Sequence, residues 1–343
     1  NTEEQKFENY TIYPRSKDFY CRDILPFYIK KFKPDILITL CDLSFISYFL
    51  KEAFLEEPFG KSFQGKTKVF MEKEVKWIPC YPIDGIPISL VYRDLLKLAY
   101  KRIAMSKFGA EAVMKEANLD SEIIYNGVDT DVFKPLDKEK IKKEFGLENK
   151  FVVGFVGRNQ LRKMIPELIK AFKIFSKDKD DVVLYLHTEA VSKIGWNLLD
   201  LVKLYNLKDK VIFSNKISLA NGFNSIEMAR LYNLFDIYAS ATSGEGFGLC
   251  SLESMACGIP NILTDYSTSR ELIEGRGELV KVKAFITDNL NSEKAIVDKE
   301  DFAKKLELLY RDDKLRKEYS KRSLEFARQF TWNNVVKQWE KLL

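Results

Sequence analysis

Two short stretches carry residues whose types and spacing can do chemistry. The first is SGEGFGLCSLES, Ser243 to Ser254, in which Glu245 sits among three glycines and Glu253 follows eight residues later. The apolar spacing of LCSLESMA predicts a helix over 249–256, with Gly258 at its C-cap and Pro260 just beyond. Gly246 and Gly248 free the backbone to approach a ligand, and the helix start offers N–H groups without intrahelical partners. An acid in such a turn and a second acid on the following helix can grip two parts of one phosphate-linked ligand. The plain alternative is that each acid only complements the helix macrodipole, and that alternative has no need of the glycines.

The second stretch is GRNQLRK, Gly157 to Lys163. Gly157 permits a tight turn directly after the apolar run FVVGFV, and Arg158, Arg162 and Lys163 place three cations within six residues. A diphosphate is a polyanion, and each charge-assisted hydrogen bond to it contributes roughly 1.5–3 kcal/mol. The cations precede a helix predicted over 165–177, where positive charge is mildly unfavourable unless an anion offsets it. A solvated helix start is the competing reading of Arg162 and Lys163.

These residues need elements to position them. In the second half, strand-like runs at 151–157, 182–187, 211–214, 237–241 and 260–264 alternate with helical spacing at 165–177, 195–206, 225–235, 249–256 and 269–274. Short continuous apolar strands between such helices predict βαβ units and a parallel sheet buried on both faces. The first half repeats the pattern less regularly, with strands at 35–40, 76–84, 102–106 and 122–126 and helices at 89–100 and 107–117. NGVDTDVFKPLDKEK (126–140) reads as a linker, and TWNNVVKQWEKLL (331–343) as an amphipathic helix capped by Thr331 or an Asn. In open α/β sheets ligands bind beyond the carboxyl ends of the strands. The residues there are Asp42, Asp84, Ser106 and Lys107 in the first half. In the second they are Arg158, His187, Thr188, Ser214, Asn215, the 243–248 loop and Asp265.

The bulk numbers exclude several classes. With 343 residues, 46% hydrophobic and 31% charged, the chain fits a globular protein of about two domains. The longest apolar run, DILITLCDLSFISYFL, carries Asp42 in its middle, so no transmembrane helix is expected, and no signal peptide is visible. Five cysteines without a C-x-x-C pair fit reduced thiols in a cytoplasmic protein, and the single histidine, His187, removes most metal sites and Ser-His-Asp triads. The net charge of +5 lies in residues 150–343 (31 basic, 26 acidic), since residues 1–149 balance at 24 each. So modest an excess is compatible with small anionic ligands and is a weak argument for nucleic acid, which is not expected as a partner. No G-x-G-x-x-G with a following acid is present, which disfavours a nicotinamide dehydrogenase.

VGRNQLRK…IPELIKAF and SGEGFGLCSLESMACGIPNILTDYSTSRELIE together resemble the donor-binding domain of retaining GT-B glycosyltransferases, family 4 (group 1). NGVDTDVFKP is similar to that family's interdomain segment, and RIAMSKFGAEAV to the last strand and helix of its acceptor domain. The likeness covers roughly residues 75–275 well and the first 70 poorly.

The resemblance implies an α/β, GT-B-like protein of two doubly wound, Rossmann-like domains facing a central crevice. Residues 1–135 would form the acceptor-side domain, joined by the helix 331–343, and residues 136–330 the donor-binding domain. The first would lack the opening strand and glycine-rich loop of the family. The implied donor is a nucleotide diphosphate-sugar, with no metal or other cofactor required. Glu245 would hold donor-sugar hydroxyls, Glu253 the ribose, and Arg158 and Lys163 the diphosphate, with Arg162 a possible substitute. The amides of Phe247, Gly248 and Leu249 would lie near sugar and phosphate, and Gly157, Gly246 and His187 complete the donor-binding set. Asp84 would stand where the family often has a histidine near the reacting sugar, a turn-forming Asp-Gly being the plainer reading. Asp129 and Asp131 look like a metal-binding D-x-D but fall where aspartates make turns.

The implied reaction is retaining transfer of a sugar to an acceptor hydroxyl of a glycan, a lipid-linked molecule or a protein. No carboxylate stands out as nucleophile, so same-face attack is expected, the departing phosphate taking the acceptor proton. Two other readings stay open: an epimerase or hydrolase of the same fold, and a non-catalytic nucleotide-sugar-binding subunit. The aromatic stretches NYTIYPRSKDFY and SFISYFL fit ordinary packing better than the lining of an acceptor cleft or lipid contact, which leaves peripheral membrane contact as a lesser alternative.

Overall fold

The computed structural model describes residues 4–14, 24–50, 75–214 and 222–343. Asn215 and residues 15–20 of the stretch NYTIYPRSKDFY, named above, lie outside the described residues, as does one of the five cysteines, Cys21. Contacts group the chain into two compact units. One comprises Asn1–Pro82, Ile88–Met105 and Ala110–Ile123; the other comprises Ile83–Pro87, Ser106–Gly109 and Ile124–Leu343.

The first unit holds a four-stranded parallel sheet in the order Ile36–Leu40, Lys76–Tyr81, Ile103–Ala104, Glu122–Ile123. Its second strand is a buried run, and Tyr81 and Ile78 are almost inaccessible. Asp42, which interrupts the long apolar run, ends the first strand. Its carboxylate accepts the Ser44 amide, the Ser44 hydroxyl and, at 2.5 Å, the Tyr92 hydroxyl. Among the described residues no helix is long and apolar enough to cross a membrane.

The second unit holds a six-stranded parallel sheet in the order Gly277–Val280, Asn261–Thr264, Ile237–Ser240, Phe151–Val156, Val182–His187, Val211–Phe213. From Phe151–Val156 the chain winds outward one way through the next two strands. It then returns to Ile237–Ser240 on the other side and winds the opposite way. The strand order therefore reverses between Phe151–Val156 and Ile237–Ser240, and a crevice opens at such a reversal beyond the carboxyl ends. Helices Ile165–Phe175 and Lys299–Arg311 cover one face with Leu168, Phe172, Phe302 and Leu306, all fully buried.

Local chemistry sets the helix ends. Asn224 and Glu227 form a capping box for Ser225–Leu234, and Thr331 caps Trp332–Leu342. Helix Leu249–Ala256 stops where Gly258 turns left-handed (φ 74°), with Ile259 N–H donating back to Ser254 O.

A hairpin and three helices of this unit were not part of the sequence reading. An antiparallel hairpin, Val282–Thr287 with Glu293–Val297, follows the last sheet strand. Helices Lys299–Arg311 and Asp313–Ala327 come after it. Helix Lys138–Glu144, capped by Asp137, begins inside the stretch read as linker. The Asp129 carboxylate there takes the amides of Asp131 and Val132, closing a turn.

Candidate functional site

The segments 157–164 and 241–248 that follow the two strands at the reversal bring Arg162, Lys163 and Glu245 together. Arg162 and Lys163 do not lie on the helix that follows them. They form a single 3-10 turn, Leu161–Lys163, closed by Met164 in the left-handed region (φ 45°). The reversal at Met164 uncouples the cations from helix Ile165–Phe175, whose first turn carries the acid Glu167 instead. The turn is tied to the neighbouring loop by its backbone, with Ser243 N–H (2.8 Å) and Ser243 Oγ (3.0 Å) both donating to Arg162 O.

Both cations reach the same oxygen of Glu245. Lys163 Nζ lies 2.7 Å and an Arg162 terminal nitrogen 3.1 Å from Glu245 Oε2. The Glu245 side chain is only 18% exposed. Burial alone would push its carboxyl up, but Lys163 and Arg162 outweigh burial and bring it down from 4.5 to about 2. Its other oxygen, Oε1, takes no hydrogen bond from any described residue. Ser267 accepts the Glu245 amide at 2.9 Å and Thr268 donates to Gly246 O, so the turn is fixed from below.

A carboxyl held low in the folded state stabilises the protein above its unfolded value and loses that contribution as pH falls through the folded value. The Glu245 contribution is therefore present above pH 4.5 and is lost toward pH 2. It amounts to about 3 kcal/mol, with roughly half gone by pH 3. Denaturation midpoints of wild type and Glu245→Gln, followed from pH 7 to pH 3, are expected to converge as the pH drops. A constant gap between them would contradict the ion cluster.

The ion pairs continue beyond Glu245. Arg162 Nε is 3.6 Å from Asp84 Oδ2, Lys294 Nζ is 2.6 Å from Asp84 Oδ1, and Lys294 Nζ is 3.4 Å from Asp288 Oδ2. The order Asp288, Lys294, Asp84, Arg162, Glu245, Lys163 is a row of six charges of alternating sign. Asp84 reaches it because a Cβ on Gly244 would fall 1.9 Å from Asp84 O, an approach only glycine allows. The sequence did not single out Lys294 and Asp288, which stand on the hairpin and its turn.

Gly248 (φ 101°) heads helix Leu249–Ala256 with no side chain capping it, which leaves the first-turn amides open to a ligand. Leu249 is exposed and Phe247 buried against Tyr125. Gly246 does not use positive φ, so the backbone freedom expected of both glycines is needed at Gly248. Glu253, one turn into the helix, accepts the hydroxyl of the fully buried Tyr232 at 2.7 Å, and burial raises its pKa.

Arg158 is exposed and makes no ion pair with any described residue, so the structure does not draw it into the charge row. Gly157 ends its strand with its amide on His187 O, and a Cβ there would meet the Lys163 stem at 3.7 Å. The His187 ring packs tilted against Phe223, with centroids 4.9 Å apart. Burial lowers its pKa, and among the described residues neither its Nδ1 nor Thr188 Oγ1 has a hydrogen-bond partner. Among the described residues no cluster of three or more His, Cys, Asp or Glu has metal-binding geometry.

The second unit is thus a doubly wound α/β unit that gathers cations, a glycine turn and an uncapped helix start at its reversal point. The chain belongs to the family of glycosyl transferases group 1, whose model matches residues 137–326. Its fold is of the GT-B class. Among curated relatives it is 29% identical over 202 residues to the O-antigen chain mannosyltransferase RfbU of Salmonella typhimurium, covering 57% of this chain and 52% of that one. It is also 29% identical to a Campylobacter jejuni N-acetylgalactosaminyltransferase acting on a diphospho-undecaprenol-linked sugar, covering 71% and 60%. The chain thus spans little more than half the length of these relatives. Among solved structures, sucrose-phosphate synthase of Thermosynechococcus elongatus superposes with a TM-score of 0.70 at 20% identity, over 92% of this chain and 74% of that one. Anabaena HepE, solved with UDP, superposes with a TM-score of 0.65 at 20% identity, over 80% and 74%.

Proposed function

We propose that the protein transfers a sugar from a nucleotide diphosphate-sugar to an acceptor hydroxyl, with retention at the anomeric carbon and without a metal. The observation that carries this reading is the convergence of Arg162 and Lys163 on one buried oxygen of Glu245 beside an uncapped helix start. Two cations and a row of amides suit a diphosphate. Oε1 of Glu245 can accept a sugar hydroxyl. The exposed Arg158 can reach a phosphate without first breaking an ion pair to a described residue. The ribose would extend toward Glu253, held by Tyr232, and toward Nδ1 of His187, which has no partner among the described residues.

In ligand-free protein Glu245 occupies the cations. An entering diphosphate takes over Lys163 and Arg162, and Glu245 is released to the sugar. Leaving-group stabilisation by these cations and by the amides of Phe247, Gly248 and Leu249 then supplies most of the rate. The departing phosphate takes the acceptor proton.

The test is a thermal-shift screen with UDP- and GDP-sugars, followed by turnover with and without glycan, lipid-linked and peptide acceptors. Stabilisation by one nucleotide sugar, and release of its nucleoside diphosphate only when an acceptor is present, is the expected result. Release without acceptor would favour a hydrolase or epimerase, and binding without any turnover a non-catalytic subunit.

A further inference from the structure

The hairpin that the sequence left unassigned meets the charge row at a buried lysine. Lys294 lies on its second strand, Glu293–Val297, with a side chain only 8% exposed. A lysine that deep is costly unless its charge is paired, and here two carboxylates, Asp84 and Asp288, share it. The strand also ties two loops together through its backbone. Ala295 N–H donates to Ser243 O in the loop that carries Glu245, and Glu293 N–H donates to Ile86 O in the loop that carries Asp84. Ser292 Oγ donates to Pro87 O, and Tyr266 Oη donates to Glu293 O while accepting the Ile86 amide. The packing at the crossing is tight, since a Cβ on Gly85 would fall 2.8 Å from both Glu293 O and Lys294 Nζ.

The Asp84 carboxylate is thus held from beneath at Oδ1, while Oδ2 faces Arg162 at 3.6 Å and the side chain stays 35% exposed. A carboxylate hydrogen-bonded at one oxygen, with the other in a longer ion pair beyond hydrogen-bond distance, can accept a hydroxyl in a defined direction. Lys294 is too buried to touch a ligand and can act only through Asp84. We propose that Lys294 is a positioning residue that aims Asp84 at a hydroxyl of the donor sugar, so that the hairpin contributes to recognition of the sugar and not of the nucleotide. This rests on the nucleotide-sugar reading above.

Removing the Lys294 charge takes from Asp84 and Asp288 the cation they share and leaves Asp84 with its longer pair to Arg162. Asp84 then shifts and the sugar hydroxyl loses its acceptor, while the diphosphate clamp at Lys163 and the helix start is left in place.

The test compares wild type, Lys294→Met, Lys294→Arg, Asp84→Asn and the double variant Lys294→Met/Asp84→Asn. Each is titrated with UDP-glucose and UDP, and with GDP-mannose and GDP, and its melting temperature is recorded. For the nucleotide pair that binds wild type, Lys294→Met is expected to weaken the nucleotide sugar about 10-fold and the free nucleoside diphosphate less than about 3-fold. The double variant should match Asp84→Asn alone, and Lys294→Arg should recover part of the loss. Equal weakening of sugar-bearing and sugar-free ligands, or additive losses in the double variant, would overturn the proposal while leaving the donor site standing. If Lys294→Met does not fold, the same split in Lys294→Arg and Asp84→Asn decides. Wild type that binds none of the four ligands would overturn the donor-site reading itself, and this proposal with it.

Discussion

Lys163→Ala is expected to lower kcat/KM by about 10²–10³, or roughly 3–4 kcal/mol of transition-state stabilisation. The reason is positional. Lys163 sits at the switch point, 2.7 Å from Glu245 Oε2 and only 15% exposed, so its charge acts where water screens it little. As a diphosphate departs, negative charge grows on it, and a fixed cation there is worth more in the transition state than in the ground state. The substitution also leaves the buried Glu245 carboxylate with Arg162 alone, so the melting temperature should fall and the Glu245 pKa should rise above its wild-type value of about 2. A variant with near wild-type kcat/KM would remove Lys163 from the chemistry.

Glu245→Gln should divide binding from turnover. The carboxylate competes with any incoming diphosphate for Arg162 and Lys163, both of which pair with its Oε2. Neutralising it frees the cations, so affinity for a nucleoside diphosphate is expected to rise about 3- to 10-fold, the effect of part of one charge-assisted hydrogen bond. The same change removes a charged acceptor for the sugar hydroxyl and is expected to lower kcat/KM with the nucleotide sugar about 10- to 100-fold. Calorimetric titration with UDP or GDP, set beside steady-state rates, reads both. Loss of nucleoside diphosphate affinity would mean that Glu245 only scaffolds the turn.

Much of the second unit was legible in the sequence because its strands are buried on both faces and read as continuous apolar runs. FVVGFV and VVLYLH became strands over the residues expected, and LCSLESMA became the helix Leu249–Ala256. The hairpin was not legible because its first strand, Val282–Thr287, is exposed at every position but one and shows no inside-outside alternation. Helix Asp313–Ala327 buries only Ser323 and Ala327 fully, too little apolar periodicity to mark it. The cations of GRNQLRK were legible as a group. Their separation from the helix by Met164 was not, since nothing in a methionine announces positive φ. Lys294 was out of reach for another reason: it meets Asp84 across 210 residues, and a sequence with 55 Lys and Arg residues offers no mark that distinguishes it.

The central claim is that the cations paired with Glu245 are the diphosphate clamp, and a crystal structure of the protein with a bound nucleoside diphosphate tests it most directly. Phosphate oxygens should lie about 2.7–3.2 Å from Lys163 Nζ and from the amides that open helix Leu249–Ala256, with the Lys163–Glu245 contact opened or shared. A nucleoside diphosphate bound elsewhere, with Lys163 still 2.7 Å from Glu245, would contradict the account.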